Sequence, residues 1–463
     1  MTDGYSEERP DVSATIPSAP PPGAPAGPRR WLGLLLAVAL VSGGVVYAVD
    51  ARTDDAASRL AATPASPGDG PTTPSKAGQA LIARRVAVDS ILIRRAQAVQ
   101  TGDLKLFLRD LDPSNKTLVA QQKILFANLV DIGFTELGYS QAEERFSSEI
   151  MRRRGRTVYL VRVLMRYQIP KVDVAPVTTE LGYTFINRAG RWVLADDDDL
   201  DKDLGPGAHR EAWDLGRIDV VRGPRALVVV EKGDAARGRA ILTEANEGLQ
   251  EVKEYWPRRW RGSVLIIALD ETEVRDARFA DEDIESAASA GSTFSSLPGQ
   301  DTADGTVAGA YIVINPTERP RVDEILLSHE ITHVATADLG GYEPLWLAEG
   351  AAEYVSWRGI EAISGPDEVA NWEQEVIDEA LPTLQSLPTD LGFYDSSADV
   401  YGVSWLAVRF LVQRIGLTGV EELYDDMARH GIDQVSRDRI LLSRSGLTEV
   451  TLWTSLRTYR PRR

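Results

Sequence analysis

His329-Glu330-Ile331-Thr332-His333, and beyond it Trp346-Leu347-Ala348-Glu349-Gly350-Ala351-Ala352-Glu353-Tyr354, form the stretch on which the reading of this chain turns. Arg321 to Ala337 reads as a helix, with Ile325, Leu326, Ile331 and Val334 on its apolar side. Two histidines four residues apart project from one helix face, a single turn apart. Neutral imidazoles so placed can bind one metal ion, and the glutamate after the first can reach a nearby water as general base. The chain has only four histidines, His209, His329, His333 and His430, so this pairing uses half of them.

A catalytic zinc takes three protein ligands and keeps one position open. A third histidine in the pattern H-x-x-G-x-x-H is absent, because Thr336 and Leu339 stand where the glycine and histidine belong. A glutamate on the next helix is the other route. Gly340-Gly341 breaks the first helix and Pro344 opens the second, so the two can pack antiparallel. Glu349 then faces the histidine pair as the third ligand. Glu353, one turn on, can accept the outer N–H of a ligating histidine and fix its tautomer. Trp346, Leu347, Ala348, Ala351 and Ala352 surround the two glutamates, so this helix reads as buried. Buried carboxylates need partners.

His-Glu-x-x-His-Val followed by Pro-x-Trp-Leu-x-Glu-Gly-x-Ala-Glu-Tyr resembles the gluzincin clan of metallopeptidases, in particular the bacterial peptidase MA-like family. The resemblance is sharp over 329–354 and extends over about 215–460. It implies His329, His333 and Glu349 as zinc ligands, Glu330 as general base, Zn2+ as cofactor and a peptide or protein as substrate. It also implies that Ala308 to Ile314 pairs with an extended peptide beside the cleft. Tyr401 matches a tyrosine that stabilises the oxyanion, with Tyr394 and His430 as alternatives. Fifteen residues separate His333 from Glu349, fewer than in the thermolysin and aminopeptidase branches. The Gly-x-Met-x-Asn signature of aminopeptidases is missing, so an endopeptidase is the expectation.

Outward from the motif, residues 210–463 read as one zinc metallopeptidase-like domain. Leu227 to Val230, Ser263 to Leu269 and Ala308 to Ile314 are apolar strand runs, 234–256 is an amphipathic helix, and 275–306 is an irregular loop. Helices are expected at 345–357, 367–380, 402–415, 418–429 and 447–459. Residues 79–203 read as a small α+β domain. Helical periodicity over 80–111 and 115–131 gives way to a strand at 158–169 and a hairpin around Ala189-Gly190. Helices followed by an antiparallel sheet resemble the cone-shaped fold of the nuclear transport factor two and ketosteroid isomerase superfamily, which by itself implies no activity. Asp196 to Asp199 lacks the spacing of a calcium loop and reads as a solvated strand end. The fold class is α+β throughout.

The N-terminal region differs in kind. Residues 1–30 hold seven prolines and few large apolar side chains, and read as a disordered tail. Residues 31–49 read as a transmembrane helix: 18 uncharged residues from Leu32 to Val49 rise about 27 Å, enough to span a bilayer core. Arg29 and Arg30 precede it and Asp50, Asp54 and Asp55 follow, which places the tail in the cytoplasm and the remainder outside the cell. Residues 50–78, rich in Pro, Gly, Ser and Thr, read as a linker.

A net charge of −18 argues against a nucleic-acid partner, and the absence of cysteine excludes disulfides and thiolate chemistry. The expectation is a single-pass membrane-anchored zinc metallopeptidase. Its rivals are a catalytically inactive zincin-like scaffold and a zinc hydrolase of a non-peptide amide.

Overall fold

The computed structural model describes residues 39–41, 75–155, 157–201, 210–270, 291–296, 307–316, 322–394, 396 and 398–461. In chain order, strand β1 (Ala39–Val41) precedes helices α1 (Lys76–Thr101), α2 (Leu104–Leu108) and α3 (Lys116–Ile132). Then come β2 (Glu136–Arg145), α4 (Ser148–Arg154), β3 (Val158–Gln168), β4 (Val177–Arg188) and β5 (Arg191–Asp196). β6 (Ile218–Arg222), β7 (Ala226–Glu231), α5 (Ala235–Tyr255), β8 (Val264–Ile267), β9 (Gly291–Ser296) and β10 (Gly309–Ile314) follow. The remainder is helical: α6 (Glu324–Thr336), α7 (Leu345–Ser364), α8 (Pro366–Glu375) with a π turn at Val376–Ala380, α9 (Val400–His430), α10 (Gln434–Ser445) and α11 (Glu449–Thr458).

β2 to β5 form an antiparallel sheet in sequential order, and the second sheet runs β1-β9-β10-β8-β7-β6. β8 lies between β7 and β10, parallel to both, and is buried along its whole length. Such a strand must be apolar on both faces. Alternate residues sort to opposite sides. Val228, Val230, Ile266, Ile312 and Ile314 join the core under the C-terminal helices. Leu227, Val229, Leu265, Ile267, Tyr311 and Val313 join a second core with Leu125, Phe126 and Leu129 of α3 and Met165 and Tyr167 of β3. The segments expected as separate domains thus share a hydrophobic core, and all described residues belong to one compact unit, Ala37–Arg463.

Polar contacts fasten the same seam. The buried Asn128 side-chain amide donates to the Trp213 and Gly216 carbonyls, at 2.9 Å each, and accepts from Arg217 Nη1 at 2.7 Å. Val174 N donates to Ala308 O at 2.6 Å, just before β10. Asp173 is buried beside Gly309 and accepts from Ile169 N at 2.6 Å.

Several expectations change. Within 275–306, Gly291–Ser296 is a strand antiparallel to β10; the rest of that range lies outside the described residues. β10 is therefore hydrogen-bonded on both sides and has no free edge for a peptide. The helices expected at 402–415 and 418–429 are the two halves of α9, separated where Gly416 leaves the helical region at φ 77° and ψ 164°. Asp196 to Asp199 stands at the end of β5 with Asp198 exposed, but its other carboxylates are partnered: Arg154 pairs with Asp196 and Asp199, and Gln122 Nε2 donates to Asp197 at 2.6 Å. The tail 1–30 and the linker up to residue 74 lie outside the described residues. Of the span 31–49, only Ala39–Val41 is described, as a strand parallel to β9.

The helical layer is held by close backbone approaches. At Gly248 on α5, a Cβ would stand 2.9 Å from Ser328 N of α6. At Gly350 on α7, a Cβ would meet Ser404 O of α9 at 2.4 Å. Gly350→Ala gains about 1 kcal/mol of helix propensity, but its methyl strikes backbone that cannot rotate away. Overpacking of this kind costs about 1–3 kcal/mol. We expect a net loss of stability, read as a lower urea midpoint at unchanged m-value.

Candidate metal centre

α6 starts at Asp323, whose carboxylate accepts from Leu326 N at 3.0 Å as an N-cap. From Leu326 to His333 every residue is buried, because the helix lies between the sheet, α5 and α7. A helix apolar all round is what such a central position demands. Its polar members are therefore the anomaly: His329, Glu330 and His333 are at most 2% exposed. Gly340 and Gly341 turn the chain at φ 130° and 76°, and Pro344 caps α7. That helix brings in Glu349 and Glu353, also buried.

Three atoms converge. His329 Nε2 and His333 Nε2 are 3.0 Å apart. Glu349 Oε2 lies 3.3 Å from the first and 3.5 Å from the second. Ligands at 2.0–2.1 Å around a tetrahedral zinc are separated by about 3.3 Å. The group has the dimensions of one face of that tetrahedron. His329 Nδ1 stands 3.1 Å from Glu353 Oε1, with its N–H turned off the ideal line. A proton on that nitrogen leaves a lone pair on Nε2, aimed at another imidazole nitrogen and a carboxylate oxygen. Only a cation or a shared proton satisfies three such atoms at once. The buried group His329, His333 and Glu349 can hold a metal ion.

The electrostatics agree. Burial pulls His329 down more than any other single influence, yet the polar contacts with Glu349 and Glu353 and the negative charge of both carboxylates together outweigh it and push its pKa up to about 10. Burial holds His333 below its ordinary value. Burial raises Glu349, but the two histidines outweigh it and hold the carboxyl below its usual range. The site is built to attract positive charge, which a metal ion supplies without a proton.

The surroundings lock the geometry. Trp357 Nε1 donates to Glu353 Oε2 at 3.2 Å, and its ring stacks on Trp372 at 4.8 Å. Tyr394 OH donates to Glu349 Oε1 at 3.2 Å, opposite the oxygen that faces the histidines. Tyr401 opens α9 with its ring 5.3 Å from that of Phe393. His430 is exposed at the far end of α9. The structure thus brings together His329, His333, Glu349 and Glu353, with Glu330 buried beside them. The Trp357 anchor was not anticipated, although its position four residues after Glu353 on one helix face is a readable signal.

No protein-family model matches the chain, and no curated protein matches it significantly.

Proposed function

We propose that the chain is a zinc-dependent hydrolase of the gluzincin type, cleaving peptide bonds internally, and that its uncharged N-terminal run tethers it outside the cell membrane. The observation behind this reading is the triangle of His329, His333 and Glu349, with edges of 3.0, 3.3 and 3.5 Å. The peptidase assignment rests further on the resemblance of 329–354 to the peptidase MA-like family. The tether rests on the uncharged run from Leu32 to Val49.

Bound at this triangle, zinc would acidify a water molecule and polarise the scissile carbonyl. Glu330 is fully buried next to His329 and is not one of the three converging ligands. It takes the proton of the attacking water and delivers it to the leaving amine. Glu353 keeps the His329 ring in the tautomer whose Nε2 faces inward. A phenol supplies a hydrogen bond to the developing oxyanion. Tyr401 is the candidate from the resemblance, while the contact with Glu349 favours Tyr394. Among the described residues, the helix long and apolar enough to cross a bilayer is α9. Its Val403, Leu406, Ala407 and Leu411 are buried in the core, so it is not the tether.

The test is incubation of the full-length chain with a peptide library, with and without a chelator. Cleavage at internal bonds that stops on chelation and returns with zinc is expected. Zinc uptake without any cleavage would instead favour a scaffold or an amide substrate of another class.

A further inference from the structure

We propose that Tyr424 is a positioning residue for the metal centre, its buried hydroxyl fixing the separation of the two helices that supply the ligands. The inference rests on the metal reading above and concerns residues none of which is a ligand.

Fifteen residues join His333 to Glu349. Gly340 and Gly341 sit in the middle of that connection, both at positive φ. Glycine is the residue with the most backbone freedom, so a turn built on two of them does not hold a fixed span by itself. A tetrahedral site needs its ligand atoms placed to within about 0.5 Å. Something outside the connection must hold its ends.

The second half of α9 does so. After the bend at Gly416, this half runs beside residues 335–345. Tyr424 is 1% exposed, with its ring edge-on to the fully buried Trp256 at 5.7 Å. Its hydroxyl lies 3.3 Å from Thr336 Oγ1 and 3.0 Å from Glu343 Oε1. Thr336 is the last residue of α6, three after His333, and Glu343 stands just ahead of α7. One oxygen therefore touches both sides of the connection, the end of the histidine helix and the entry to the glutamate helix. Neighbouring contacts seat the turn against the same helix. Tyr342 N donates to Ala428 O at 3.1 Å. A Cβ on Gly340 would come within 2.7 Å of that same carbonyl oxygen, so the approach requires glycine. Arg258 bridges the far end, donating to Ala335 O at 2.7 Å and pairing with Asp425 of α9 at 3.0 Å.

A phenol suits this place. It can donate and accept at a single atom, and its rigid ring fixes that atom by packing alone. Phenylalanine in its place fills the same volume against Trp256 but leaves Glu343 and Thr336 unconnected.

The experiment measures zinc affinity by chelator competition, and the visible spectrum of the cobalt-substituted protein, for the full-length chain and three variants. Tyr424→Phe is expected to weaken zinc binding about tenfold, the lower end of what losing a supporting partner costs, and to shift the cobalt bands. Glu343→Ala cuts the same link from the loop side, leaves the core ring in place, and should give the same loss even if Tyr424→Phe folds poorly. Glu343→Gln still offers an oxygen to the phenol and should stay within about twofold of the wild type. If the role is only packing, Tyr424→Phe and Glu343→Ala lower the urea midpoint of the metal-stripped protein but keep wild-type zinc affinity and cobalt spectrum; that result overturns the proposal. A wild-type chain that binds no zinc overturns the metal centre, and this role with it.

Discussion

Glu330→Gln is expected to reduce hydrolysis by about 10²–10⁴-fold, the contribution of a positioned general base, while zinc content stays at the wild-type level. The substitution keeps the volume of a side chain that is fully buried, so the fold has no cavity to absorb. It replaces a proton acceptor with an amide that cannot take a proton. The three converging ligand atoms belong to His329, His333 and Glu349, not to Glu330. Metal binding and turnover should therefore separate. The assay is the turnover rate on whichever library peptide is cut, paired with elemental analysis of the same sample. Equal loss of zinc and activity would show that Glu330 holds the metal or the fold rather than moving a proton. Unchanged turnover would remove it from the chemistry.

The second large effect separates a ligand from the residue that orients it. Glu353→Gln should weaken zinc binding by about 10–100-fold, as loss of an outer partner of a ligating histidine does. Glu349→Gln should weaken it by more than that range. It removes both the ligand oxygen and the negative charge that offsets the cation in a fully buried site. The amide still accepts a hydrogen bond from Tyr394, so the comparison isolates the metal contact. Chelator competition gives both values on one scale. The order wild type, Glu353→Gln, Glu349→Gln is the expected ranking. If Glu353→Gln proved the more damaging, the assignment of inner and outer carboxylate would be reversed.

The candidate metal centre was legible because its signal is local. A spacing of four puts His329 and His333 on one helix face, and a glycine pair before a proline folds the next helix back. Glu349 and Glu353 then follow from a spacing of four on that second helix. The hairpin at Ala189-Gly190 was legible for the same reason: both residues have positive φ, 50° and 86°. What covers a sheet is not local. Val264–Ile267 announces a strand buried on two faces, but nothing in it says that α3 and β3, far earlier in the chain, supply one of the covers. Gly291–Ser296 was missed because Gly-Ser-Thr-Phe-Ser-Ser has the composition of a loop and takes its conformation from pairing with β10. α10 was missed as well; its burial falls on only Leu441 and Ser445, so its apolar face is too narrow to show as a period. The contact of Tyr394 with Glu349 could not be read from sequence. Tyr394 lies outside any helix, and its reach to Glu349 depends on how that segment returns to α7. The resemblance placed the substrate strand at Ala308 to Ile314, and pairing with β9 closes that edge.

The most direct measurement is the metal content of the purified full-length chain beside a His329→Ala, His333→Ala double variant, by elemental analysis after exhaustive dialysis. The convergence of two imidazole nitrogens and one carboxylate oxygen within 3.5 Å in a buried site predicts about one zinc per chain in the wild type and none in the variant. No zinc in the wild type, or the same zinc in both proteins, would contradict it.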